Sequence, residues 1–318
     1  MMDNFPNIES GQPVLVLGAA GMDVVGRLES DLKPVTSNPA RIRRSYGGVA
    51  RNVAENLARL GQPVRLMTIL GEDASGNEIL AHTASAGVDV SAVLRSRKYP
   101  TGYYMGILDR NGKLKFAVDD MRLLEGITPD DLKEHEELFK SSSLVFVDAN
   151  LPVKTLRTAA SLAKRAKIPI CADTASFTMA QRLVKFLPKY YLVTANSREA
   201  GMLTGLSFES SDRNAAMEAA RSLVNTGVRI ALVTLAEYGV VYATPETTGH
   251  IPAIRTRISD PTGAGDAMTA AVLFALLNDL DLDDAIRLGV SAASLTLRHP
   301  GTVYPDLSLE ALYDQLLV

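Results

Sequence analysis

Asp260-Pro261-Thr262-Gly263-Ala264-Gly265-Asp266-Ala267-Met268 is the most informative stretch of the chain. Thr269 to Leu277 follows it as an apolar run with helical character. A turn of small residues therefore opens a buried helix. Gly263, Ala264 and Gly265 leave their backbone N–H groups open to a ligand. Those donors, aligned with the helix dipole, make an anion site. Asp266 falls in the first helical turn, where an acid is locally favoured. Beside a transferring phosphoryl group, its carboxylate can accept the proton of an attacking hydroxyl. An ordinary glycine turn with an acidic helix start has the same local pattern.

Four other segments suit a ligand, each with a plainer reading. Tyr46-Gly47-Gly48-Val49-Ala50-Arg51-Asn52 again leads glycines into a helix. Glycine admits a ligand close to the backbone, and Asn52 offers a donor and an acceptor to paired sugar hydroxyls. A turn with a solvent-facing Asn fits equally. Gly18-Ala19-Ala20-Gly21-Met22-Asp23 follows a short strand but fails the dinucleotide fingerprint, since Ala20 and Asp23 stand where glycines belong. Asp23 suits hydroxyls better than phosphates, or simply caps a tight turn. Asn196-Ser197-Arg198-Glu199 has capping-box spacing, and Asn196 and Glu199 could also face a magnesium–phosphate centre through water. Val233-Thr234-Leu235-Ala236-Glu237-Tyr238-Gly239 reads as strand, turn and strand, able to touch a nucleotide.

Around these segments, strands alternate with helices. Val14–Leu17, Val64–Leu70, Leu144–Val147, Ile168–Ala172, Tyr190–Val193 and Arg229–Leu235 read as strands. Val49–Leu60, with Val53, Leu57 and Leu60 on one face, and Glu78–Ala86 read as helices stopped by glycines. Thr128-Pro129-Asp130-Asp131 is a helix start. The alternation predicts an α/β fold with a parallel sheet covered on both faces. Val24–Ser45 and Thr101–Val118, the latter centred on Asn111-Gly112, break it and predict a small antiparallel sheet. The expected organisation is one domain over residues 1–318, with a lid inserted from about 24–45 and 99–120.

Composition excludes several classes. The 318 residues are 47% hydrophobic and 22% charged, which rules out disorder as the main state. A net charge of −3 argues against a nucleic-acid binder that relies on excess Lys and Arg. The single cysteine, Cys171, excludes an intrachain disulfide framework and any cysteine-based metal site within one chain. Met1 to Gly11 is polar and does not read as a signal peptide, and the apolar runs are too short to span a membrane. A cytoplasmic location is expected. No P-loop, paired-histidine metal site or nucleophile elbow is present.

Taken together and in this order, the segments resemble the ribokinase-like sugar kinases, the phosphofructokinase-B group. The resemblance runs from about Pro13 to the C-terminus and carries both family signatures, Gly47-Gly48 through Asn52 and Asp260 through Asp266. It implies a Rossmann-like α/β domain with a β lid, and ATP-dependent phosphorylation of a hydroxymethyl group. It assigns Asp266 as catalytic base and Gly263, Ala264 and Gly265 as the anion hole. Asp23, Gly47, Gly48 and Asn52 match substrate positions. Asn196, Thr234 and Gly239 match the ATP side, and Glu199 matches a water-mediated Mg2+ position. Asp260 and Thr262, with backbone near Gly301, match a monovalent-cation site for K+. Ala236 departs from the pattern, since many members have Gly there.

Within that family, Ser37-Asn38-Pro39, Gly47 through Leu57 and Asp119-Asp120-Met121 are most similar to the pseudouridine-phosphorylating branch. The implied reaction is pseudouridine to pseudouridine 5′-phosphate. Ribokinase, another nucleoside kinase and a fructokinase-like enzyme are the alternatives. A sugar-binding regulatory protein on a kinase fold is the non-enzymatic one. The resemblance also implies a homodimer formed through the lid.

Overall fold

The computed structural model describes residues 11–317; the reading of Met1 to Gly11 thus lies, apart from Gly11, outside the described residues. Eight strands form one sheet in the order Thr248–Ile251, Val240–Ala243, Ile230–Thr234, Leu192–Asn196, Ile170–Asp173, Leu144–Asp148, Val14–Leu17 and Val64–Met67. From Ile230–Thr234 to Val64–Met67 every pairing is parallel, and the first two strands are antiparallel additions. The side-chain period of two divides the core. Leu15, Leu17, Val145 and Val147 join one apolar layer, while Val14, Val16, Leu144 and Phe146 join the other. Helices Val49–Arg59, Ala264–Leu277 and Leu282–Arg298 cover the second layer, and Val153–Ala166 and Arg213–Asn225 cover the first. Burial on both faces explains why the inner strands are apolar throughout.

Three expectations for single elements need correction. Val64–Leu70 is not one strand: it breaks at Thr68, whose hydroxyl donates to the Gly18 carbonyl at 2.7 Å, and Ile69–Gly71 pairs instead with Leu94–Ser96. The helix expected from Glu78 begins at Ala74, because the Asp73 side chain accepts the Gly76 N–H at 2.8 Å and caps it. The Asn111-Gly112 hairpin closes through a longer loop than a two-residue turn. Asp109 organises that loop, accepting from the N–H groups of Asn111 (2.9 Å) and Lys113 (3.0 Å).

A second sheet has the order Ala40–Gly47, Gly21–Leu28, Gly102–Leu108 and Leu114–Asp120. It is not wholly antiparallel, since Gly21–Leu28 runs parallel to Gly102–Leu108. Its register lines up Ser45, Asp23, Tyr104 and Asp119 as one row across the strands. Arg43, Val25, Gly106 and Ala117 form the next row on that face. The opposite face carries Ile42, Met105, Phe116 and Val118, all exposed.

Candidate active site

The Gly263 turn stands between two cavities. Gly263 adopts φ +82°, and a Cβ there would collide with the Thr302 carbonyl, so only glycine fits. The first intrahelical bond runs from the Ala267 N–H to the Gly263 carbonyl at 2.9 Å. The helix thus leaves the N–H groups of Ala264, Gly265 and Asp266 over for a ligand.

The first cavity, about 230 Å³, is lined by Asp23, Gly48, Asn52, Thr262 and Asp266, with Tyr104, Asp119 and Met121 from the small sheet. Asn52 donates to Asp266 Oδ2 at 2.6 Å. Burial raises the Asp266 carboxyl to about 6, with the Asp148 and Glu199 charges adding and Asn52 and Arg51 opposing. Burial also raises Asp23 to about 7, against the nearby Arg51. A Cβ on Gly47 would overlap the Asp23 carboxyl, so any side chain there would displace that acid. Two acids poised near neutrality in one cleft are a proton-transfer arrangement.

The second cavity, about 320 Å³, brings Thr234, Ala236 and Gly239 together with Ala264 and Gly265. Its other walls, including Ile254, Met268, Val290 and Leu297, are mostly apolar, which suits a planar base. Ala236 sits at φ +51°, a region unfavourable to side chains, which is why glycine would be easier there. Asn196 and Glu199 line neither cavity. They form the capping box: Glu199 Oε2 accepts from the Asn196 N–H at 2.9 Å, and Asn196 Oδ1 accepts from the Glu199 N–H at 3.0 Å.

Several site residues were not singled out from sequence. Asp148, fully buried, accepts from the N–H groups of Ala19 (2.8 Å), Ala50 (3.1 Å) and Asn150 (2.9 Å), so it clamps the first two glycine turns together. Its only local signal is an acid at a strand end. Asp173 ends the neighbouring strand. Burial and the charges of Asp266 and Glu199 push its carboxyl well above the usual range. Among the described residues no group of three or more His, Cys, Asp or Glu side chains is placed to hold a metal ion directly, so a divalent ion near Glu199 and Asp173 would be held only through water. Arg51 is 1% exposed and donates to the carbonyls of Tyr46 (2.8 Å) and Gly47 (3.2 Å), to Thr302 (3.0 Å), and to Glu55 and Asn52.

Asp260 and Thr262 do lie together, since the Thr262 N–H donates to Asp260 Oδ1 at 3.0 Å. Asp260 Oδ2 is held by Arg43 from the small sheet. This donor set does not fit a monovalent cation, because the carboxylate that would ligate it already carries a guanidinium.

Comparison with known proteins agrees with this geometry. Residues 12–308 match the pfkB family carbohydrate kinase model. The chain is 29% identical to pseudouridine kinase of Escherichia coli over 297 residues, covering 93% of this chain and 94% of the relative. A carbohydrate kinase from Agrobacterium tumefaciens is 31% identical with a TM-score of 0.81, covering 96% of this chain and 97% of that one. Arabidopsis thaliana ribokinase complexed with ribose and ATP superposes with a TM-score of 0.82 at 23% identity, over 97% and 99% of the two chains. With two cavities meeting at a glycine turn and a poised carboxylate, the chain belongs to the pfkB family of carbohydrate kinases and is an ATP-dependent sugar or nucleoside kinase of ribokinase-like fold.

Proposed function

We propose that the protein phosphorylates the 5′-hydroxyl of pseudouridine. The carrying observation is the row Ser45, Asp23, Tyr104 and Asp119 on one face of the small sheet. Asp23 and Asn52 suit the ribose hydroxyls, and Tyr104 and Asp119 lie further along the same wall. A carboxylate there favours a base edge rich in N–H donors. Pseudouridine presents two ring N–H groups, whereas uridine has spent one on its glycosidic bond. The pseudouridine kinase relative supports the same reading.

In this mechanism Asp266 takes the proton of the 5′-hydroxyl as that oxygen attacks the γ-phosphorus of ATP, and ADP leaves. The N–H groups of Gly265 and its neighbours receive the charge growing on the phosphoryl oxygens. Positioning is the larger task, because phosphoryl transfer asks little covalent help from protein. Glu199 would hold magnesium through water, and the ion would supply charge neutralisation at the phosphates. Thr234 and Gly239 border the nucleotide, with Asn196 acting through its cap on Glu199. The small sheet serves as the lid that excludes water. Its exposed Ile42, Met105, Phe116 and Val118 form the surface for a homodimer, which light scattering would detect as twice the chain mass. The buried thiol of Cys171 suits a reducing cytoplasm.

ADP release with MgATP, measured against pseudouridine, uridine, adenosine, ribose and fructose, tests the assignment. Preference for pseudouridine supports it. Preference for ribose or fructose keeps the mechanism and moves the acceptor.

A further inference from the structure

Asp260 is 1% exposed and stands at the head of the turn that forms the anion site. A buried carboxylate without a positive partner is strongly disfavoured. Here the partner comes from 217 residues earlier in the chain, on the small sheet. Arg43 pairs in register with Val25, two places from Ser45 and Asp23, so its side chain points to the cleft side. Its neighbour Arg44 points the other way, to Glu78 at 3.2 Å. The Arg43 charge also reaches His299, whose imidazole it helps, after burial, to hold below the usual range. That ring packs within 3.2 Å of where a Cβ on Gly301 would stand. The guanidinium therefore sits on the Asp260 carboxylate, whose other oxygen accepts the Thr262 N–H, with its charge felt at His299 beside Gly301.

We propose that Arg43 is a positioning residue that performs, from the lid, the task of a bound monovalent cation beside the anion-site turn, and so frees the enzyme from any potassium requirement. Two cations on one buried carboxylate repel each other, so the guanidinium and an ion exclude one another. A dissolved ion would hold the turn whatever the lid does. Arg43 holds it only while the small sheet is docked, which ties the shape of the anion site to lid position.

Activity and melting temperature in KCl and in choline chloride, for the natural chain and for Arg43→Met, test this. The natural chain is expected to differ less than about twofold in kcat/KM between the two salts at matched ionic strength, with one Tm. Arg43→Met should lose on the order of 10²-fold in choline, the size of a small misplacement at the reacting atoms. KCl should then recover about tenfold or more of that loss and raise the Tm of the variant alone. Strong potassium activation or a potassium-specific Tm rise in the natural chain would overturn the proposal, as would an Arg43→Met variant blind to potassium in both readouts. If that variant does not fold, Arg43→Lys replaces it: cation independence is expected there, and a new potassium requirement is the opposing result. The thermal arm needs no acceptor, so a wrong choice of nucleoside leaves it readable.

Discussion

The helices Val49–Arg59 and Ala264–Leu277 both start at glycine turns beside the cavity that holds Asp23 and Asp266, yet their interiors have little in common. Along Ala264–Leu277 the buried side chains are apolar except for Thr269. Along Val49–Arg59, Arg51, Asn52, Glu55 and Asn56 are all buried. Glu55 alone joins Arg51, Arg59 (2.6 Å) and His82 (3.1 Å). Against its burial, those partners hold its carboxyl down at about 2. The acid of the apolar helix, Asp266, is held across the cleft by the Asn52 amide of the polar one, at 2.6 Å. The polar helix carries a charge network that also reaches Tyr46, Gly47 and Thr302, and through the first two the strand Ala40–Gly47. On the proposed reading, the rigid apolar helix carries the chemistry and the polar one the recognition.

The largest effect should follow from breaking the rigid side. Asp266→Asn is expected to lower kcat by about 10²–10⁴-fold while acceptor affinity, read by calorimetry, stays near normal. Near-normal turnover would remove Asp266 from the base role. Because only the ionised carboxylate accepts a proton, kcat/KM of the natural chain should fall as pH drops through about 6, the value to which burial raises this acid. On the polar side, Arg51→Met leaves Glu55 with one fewer partner and takes a donor from the Gly47 carbonyl, while the Tyr46 carbonyl keeps the Thr302 hydroxyl. A loss of roughly 3–5 kcal/mol in urea unfolding is expected. A shift near zero would mean that Arg59 and His82 suffice.

Asp23→Asn sharpens the contrast between recognition and stability. The folded-state value near 7 lies above the ordinary 3.8, so the folded chain binds the proton more tightly. Stability therefore falls as pH rises across that window. The variant should weaken acceptor binding yet melt roughly 2–4 °C higher at pH 8, with a smaller gain at pH 5. A gain equal at both pH values would place its origin elsewhere than in the charge. The smallest effect belongs to Ala236→Gly in the nucleotide turn. Relief of the left-handed strain and the added freedom of the unfolded chain oppose each other, leaving a change within about 1 kcal/mol.

Most of the fold was readable because its signals are local. Val14–Leu17, the start of Val49–Arg59 and the helix start at Thr128 appear where the residue patterns put them. Both glycine turns were equally plain, since φ and close approach leave a direct mark on residue choice. The partnerships were not readable. Nothing beside Arg43 says that it meets Asp260, and nothing beside Asp148 says that it collects N–H groups from Ala19 and Ala50. Tyr104 needed the strand register, because only the pleat decides which of Tyr103 and Tyr104 faces the cleft. Even the break at Thr68 depends on a carbonyl fifty residues away.

The strand order has a consequence for how the chain is made. Val14–Leu17 lies between Val64–Met67 and Leu144–Asp148, and its partner Leu144 follows Val14 by 130 residues. At ribosomal speeds of 5–20 residues per second, that edge waits roughly 7–26 s for its neighbour. Throughout that interval a strand apolar on both faces has one side open. Nascent chains ending before Leu144 should therefore need a chaperone and precipitate without one, while the later helices settle onto a sheet already closed.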